Sequence, residues 1–196
     1  MHGLVNRAVE QFVRDTYGRD TWHVVVQRAE LGITAFEPML EYDPSLTNRM
    51  IDRIVETLSK PVPEVLEDIG TYLVSPLGPA PVRRLLRFGG RTFREFLYSL
   101  DDLPDRAGLA LPGLELPRLE LREHADEFYT VGVDSARFAP LRIGPVLMGL
   151  LRSLADDYGA LVMLSCKNTG TGQELLEIRL LDPRFATARE FSLGGV

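Results

Sequence analysis

Apolar positions recur every three or four residues through the first half of this chain and every second residue through much of the rest. Leu4, Val5, Ala8, Val9, Phe12 and Val13 make one stripe that closes near Tyr17-Gly18, the spacing of an amphipathic helix with a glycine stop. A second helix is predicted from about Asp20, with Trp22, Val25 and Val26 inward, to about Gly32. Pro38 and Pro44 frame a loop. Leu46, Met50, Ile51, Ile54, Val55 and Leu58 then repeat the helical spacing, and Pro61 and Pro63 break it, since proline lacks the N–H a helix interior needs. Glu64 to Leu73 resumes a helix, with Val65, Leu66 and Ile69 inward. "SPLGPAP" is a turn-rich linker, followed by a short helix through Arg87. The next helix carries Phe93, Phe96, Leu97, Leu100 and Leu103 on one face and ends at Pro104.

After Pro112 the period changes. "PRLELRE" alternates apolar and polar residues, as a half-buried strand does, and "FYTVGV" follows across the turn-like "HADE". A long helix is predicted with Leu141, Val146, Leu147, Leu150, Leu151 and Leu154 on its apolar side, closed by Tyr158-Gly159. "ALVMLSC", predicted as a buried strand, and "ELLEIRLL" form a second pair across "KNTGTGQ". The tail after Pro183 shows no period. Helices followed by a β-β-α-β-β order predict an α+β fold: one domain over 1–196, mainly helical over 1–104, with an antiparallel sheet of about four strands and a long helix over 105–196.

Composition narrows the chemistry. The chain has 196 residues, 45% hydrophobic and 26% charged, with a net charge of −6 whose acids are spread along it. Nucleic-acid binding is not expected, because it needs clustered Lys and Arg to displace counterions from phosphates. No apolar run has transmembrane length, and the N-terminus is amphipathic. The single cysteine, Cys166, can form no internal disulfide, so the expected setting is a reducing cytoplasm. Asp101-Asp102 and Asp156-Asp157 are adjacent on helices, where neighbours diverge, so neither is a catalytic dyad. "KNTGTGQ" lacks the phosphate-loop pattern. With no Ser/His/Asp set, metal-ligand spacing or nucleotide fingerprint, no enzyme is expected.

Three stretches together resemble one family, the haem-nitric-oxide/oxygen-binding (H-NOX) domains related to the sensor domain of soluble guanylate cyclase. "MHGLV" with "FVRDTYGRDTW" is similar to the family's opening Met-x-Gly helix followed by Tyr-Gly and Trp. "FLYSLDDLPDR" resembles its Leu-Asp-x-Leu-His helix end, and "VDSAR" stands where its Tyr-x-Ser-x-Arg motif stands. The register from Pro104 through Pro117 to Arg137 is ungapped, and the resemblance spans essentially the whole chain.

That resemblance implies a haem-based gas sensor, and the chain departs from it at two functional positions. Pro104 takes the place of the histidine that ligates haem iron. An imidazole nitrogen can give iron a lone pair, and a proline ring within the chain cannot. Val133 takes the place of the tyrosine that holds the haem propionates, while Ser135 and Arg137 of that motif remain. In oxygen-binding relatives a distal tyrosine lies five residues after the motif arginine; here that register gives Arg142.

Several alternatives stay open at this level. Ser135, Arg137 and Arg142 form a candidate anion or propionate-type site. Alternatively, Asp134 or Ser135 caps a helix, Arg137 pairs with an acid, and Arg142 lies on a polar helix face. His2, His23 and His124 are the only histidines, and for each a solvated or hydrogen-bonded role is favoured over that of an axial ligand. Tyr98 and Cys166 can chemically ligate iron but are expected in or near the core. The resulting expectation is a non-enzymatic regulatory or interaction module without histidine-ligated haem. The alternatives are a haem sensor with a non-standard ligand, or a binder of another anionic hydrophobic molecule in a pocket between the Leu4/Val5/Val9 helix and the Phe93/Leu97/Leu100 helix. By resemblance to stand-alone bacterial members, the partner would be a signalling protein such as a histidine kinase or a cyclic-dinucleotide enzyme.

Overall fold

Two of the first four helices begin on a side chain that accepts from one of their free amides. The structure, a computed structural model, describes residues 1–87, 89–125, 127–170 and 172–182; the tail after Pro183 lies outside them. Helix α1 (Gly3–Tyr17) opens on His2, whose Nδ1 accepts from the Leu4 amide at 3.2 Å, and stops at Gly18 with φ 92°. Helix α2 (Arg19–Arg28) follows at once. Asp43 caps α3 (Pro44–Leu58) by accepting from the Ser45 amide at 2.8 Å, with Pro44 in the first turn, where its missing N–H costs nothing. Helix α4 (Val62–Val74) completes a core in which Phe12, Val13, Trp22, Met50, Ile54 and Leu66 are buried.

Three shorter helices lead to the sheet: α5 (Ala80–Arg87), α6 (Phe93–Tyr98) and α7 (Leu103–Ala110). The single helix expected to end at Pro104 is therefore two. Tight turns carry the chain from α6 to α7, with the Leu100 amide donating to the Leu97 carbonyl and the Leu103 amide to the Leu100 carbonyl, both at 3.1 Å. Pro104 then sits in the first turn of α7. A proline there needs no hydrogen-bond partner and fits φ, so it starts a helix as readily as it stops one.

Strands β1 (Arg118–Ala125), β2 (Phe128–Asp134), β3 (Leu161–Asn168) and β4 (Gln173–Asp182) form one antiparallel sheet in the order β1-β2-β4-β3. Helix α8 (Gly144–Asp157) runs between β2 and β3 in sequence. It starts three residues later than Leu141, at Gly144, with Pro145 in its first turn. The expectation of a buried strand at "ALVMLSC" fails in part. β3 is an edge strand covered on one face only, and Leu161 and Met163 are each 60% exposed. His124 likewise belongs to β1 and not to the turn.

The described residues pack into two cores. Phe93, Phe96, Leu97, Leu100 and Leu103 lie in the core beneath the sheet, against Tyr129, Val131, Val133, Leu147 and Leu151. Val9, by contrast, belongs to the core of the N-terminal helices. The two helices expected to wall one pocket thus feed different cores. What joins those cores is the crossing of α4 and α8. A methyl group placed on Gly70 would lie 1.9 Å from the Val146 carbonyl oxygen, and one on Gly149 would lie 1.9 Å from that of Glu67. Each helix offers the other a glycine, and the two backbones touch. No helix among the described residues is long and apolar enough to cross a membrane.

Candidate functional site

The polar centre of the sheet-bearing half is a carboxylate that has no place in the expected anion site. Glu174 lies near the start of β4, on the inward face shared with Leu176, Ile178 and Leu180. Its side chain is 2% exposed. Oε2 accepts from the amides of Ile143 and Gly144, each at 2.9 Å, which are free donors at the N-terminus of α8. The same oxygen lies 2.9 Å from the Ser135 hydroxyl, and Oε1 accepts from Arg142 Nε at 3.0 Å. A negative charge here also meets the positive end of the α8 dipole.

Local sequence explains why the carboxylate fits. A side chain at residue 144 would put its Cβ 2.7 Å from Glu174 Oε1 and 2.5 Å from Cys166 Sγ, so only glycine leaves the space. Ser135 is held at the end of β2 by its own amide, which donates to the Gly172 carbonyl at 3.1 Å. Burial pushes the Cys166 thiol up, the nearby Glu174 charge adds to this, and Arg142 opposes it. That is the profile of an unreactive thiol.

Of the candidate anion residues, the structure brings Ser135 and Arg142 together through Glu174 and leaves Arg137 apart. Arg137 is 74% exposed and pairs with Glu115 at 2.7 Å. Arg142 lies ahead of α8 and not on a helix face; its side chain is 37% exposed while its Nε meets the buried acid. Val133 is 1% exposed and packed in the core. Pro104 is partly buried beside the buried Leu103.

The other residues weighed as iron ligands are scattered. His23 is exposed on α2. His124 is exposed, with Nε2 2.7 Å from the Thr130 hydroxyl. His2 is buried and caps α1. Tyr98 is 48% exposed, outside the core, and donates to Glu123 at 2.7 Å. Among the described residues no cluster of three His, Cys, Asp or Glu could hold a metal ion. Glu174 itself was detectable only as an acid on the inward register of an alternating strand.

Comparison with known proteins places this geometry. A soluble guanylate cyclase of Caenorhabditis elegans, gcy-31, is 27% identical over 117 residues, covering 60% of this chain and 17% of that protein. Soluble guanylate cyclase 89Db of Drosophila melanogaster is 20% identical over 163 residues, 83% of this chain and 24% of that protein. The chain thus spans less than a quarter of either relative. Among solved structures, a mutant H-NOX protein from S. oneidensis in the Fe(II) ligation state superimposes with a TM-score of 0.79 at 17% identity, over 95% of this chain and all of that one. An Fe(II) unliganded H-NOX protein from K. algicida gives 0.77 at 14% identity, over 94% of this chain and 99% of that one. At such identities the structures show a shared fold. The family model described as haem-NO-binding, HNOB, matches residues 2–166, and the chain belongs to that family.

Proposed function

We propose that this chain is a sensor-type H-NOX domain that acts as a regulatory or interaction module without histidine-ligated haem. One observation carries the reading: Pro104, in the first turn of α7, offers no atom that can donate to iron. The rest of the donor set agrees with it. Val133 brings no hydroxyl, Glu174 holds Ser135 and Arg142, and Arg137 is paired with Glu115. A haem carboxylate entering at Ser135 and Arg142 would have to displace a buried carboxylate bound by four donors. The residues present therefore do not fit a haem held from the family's usual positions.

The partner in this reading is a signalling enzyme, in a separate chain such as a histidine kinase or a cyclic-dinucleotide enzyme, and the setting is the cytoplasm. No catalytic step is assigned to the domain. An absorbance titration of purified protein with haem tests the proposal. The expected result is no Soret band of the histidine-ligated ferrous type. A stoichiometric band of that type, abolished by His2→Ala, would mean that His2 leaves its capping role to bind iron.

A further inference from the structure

At the end of α8 far from Glu174, the last turns of α4 and α8 and the helix α5 border a groove of about 730 Å³, the size of many sites for small organic ligands. Val74, Leu86 and Leu154 give it an apolar lining. Its charges are divided between two helices: Arg83 and Arg84 stand on α5, while Asp156 and Asp157 end α8.

Arg83, Arg84 and Asp156 are not spent on each other. Arg83 and Arg84 are exposed, and neither pairs with an acid among the described residues, whereas Arg94 in the same arginine-rich stretch holds Glu127. Asp156 is exposed and likewise has no basic partner among them. Asp156 stands in the last turn of α8, at the negative end of its dipole, where a cation and not an acid is favoured. It therefore makes that end of the groove attractive to a positive group. The guanidiniums of Arg83 and Arg84 offer planar forks to an oxyanion. A polyanion would be opposed by the aspartates and a polycation by the arginines.

We propose that this groove binds a free single-chain amphiphile with a dipolar head: its phosphate against Arg83 and Arg84, its ammonium toward Asp156, and its chain along Val74, Leu86 and Leu154. The site is separate from Pro104 and Glu174, and the proposal stands whatever the haem titration shows.

Calorimetric titration of the full chain with dodecylphosphocholine, kept below its critical micelle concentration, tests it. Dodecyl phosphate, dodecyltrimethylammonium and dodecyl maltoside serve as head-group controls. The expected result is that dodecylphosphocholine binds about 10-fold or more tightly than each control. Arg83→Ala/Arg84→Ala and Asp156→Asn should each remove that advantage, and Arg137→Ala should leave it intact. Equal binding of all four probes, tighter binding of dodecyl phosphate, or full affinity in both groove variants would overturn the proposal. Co-sedimentation with phosphatidylcholine vesicles that is lost in Arg83→Ala/Arg84→Ala would overturn the free amphiphile in favour of a membrane surface.

Discussion

Glu174 and Arg142 meet at 3.0 Å across an uneven boundary, the carboxylate 2% exposed and the guanidinium 37%. The unevenness sets what each contributes. Glu174 also accepts from two amides of α8 and from the Ser135 hydroxyl, so its loss leaves both amides without their acceptor, while Ser135 keeps the Gly172 carbonyl. Glu174→Ala should lower stability by about 3 kcal/mol. Arg142→Ala should cost only about 1 kcal/mol, since solvent screens its partly exposed charge and Glu174 keeps its other donors. Urea denaturation of both variants checks the ordering. Equal losses would mean that the ion pair, and not the helix cap, holds Glu174 in place. Arg137→Ala, at an exposed pair, should change stability by less than about 1 kcal/mol.

Restoring the family's residue types should not restore a haem site cleanly. Pro104→His supplies an imidazole but leaves Val133 and the Glu174 cap unchanged, so only weak haem binding is expected from it. Val133 is 1% exposed among core side chains. Val133→Tyr must force a ring into that space, at about 1–3 kcal/mol. The double variant should therefore melt below the parent while binding haem better than Pro104→His alone. Haem titration and thermal melting of the same samples give both readings. Tight binding by Pro104→His alone would show that the tyrosine and the cap matter little.

The helix crossing gives a sharper stability prediction. A Cβ at Gly70 or Gly149 would stand 1.9 Å from a backbone oxygen, which no rotamer change can relieve. Gly70→Ala and Gly149→Ala should each cost about 3 kcal/mol despite alanine's better helix propensity. Gly108 on α7 has open space around it, and Gly108→Ala should be neutral or stabilising. Melting temperatures that fail to separate the three would refute the backbone contact.

Tyr129 supplies a pH dependence. Its ring is fully buried beneath the sheet, and among the described residues its hydroxyl makes no hydrogen bond of good geometry, with the Tyr98 hydroxyl as its polar neighbour. Burial, the largest cause, pushes the phenol up to about 12 from 10.0. The folded state therefore keeps a proton that the unfolded chain releases near pH 10. The resulting stabilisation is full below pH 10 and disappears as pH rises through about 12. Unfolding in alkali should coincide with phenolate absorbance from Tyr129, and Tyr129→Phe should shift that transition to higher pH. An unchanged transition in the variant would assign alkaline unfolding to other groups.

The elements that were legible in the sequence are those whose period one buried face imposes. The stripe from Leu4 to Val13 and the alternation in "PRLELRE" each report a single covered side. The break between α6 and α7 was not legible, because Leu103 continues the apolar register of α6 while a proline after it suits either the end or the start of a helix. The edge position of β3 was hidden for a related reason: "ALVMLSC" is apolar on both faces, although the sheet covers only one. The candidate site was half legible. Ser135 and Arg142 could be singled out as anion holders, but the anion that meets them comes from a strand more than thirty residues further on. Local pattern alone could not pair Glu174 with them.

The reciprocal glycines of α4 and α8 also have a mechanical consequence. Sliding either helix along the other by about one turn would bring Leu66 or Val74, or Pro145 or Ser153, to a point where not even a methyl group fits. Turning one helix about the point of contact keeps glycine against carbonyl and works against side-chain links such as the Arg152–Glu67 ion pair and the Thr71 hydroxyl bond to the Gly149 carbonyl. The crossing therefore resembles an axle between the two cores: backbone atoms block translation, while side-chain links hold the angle.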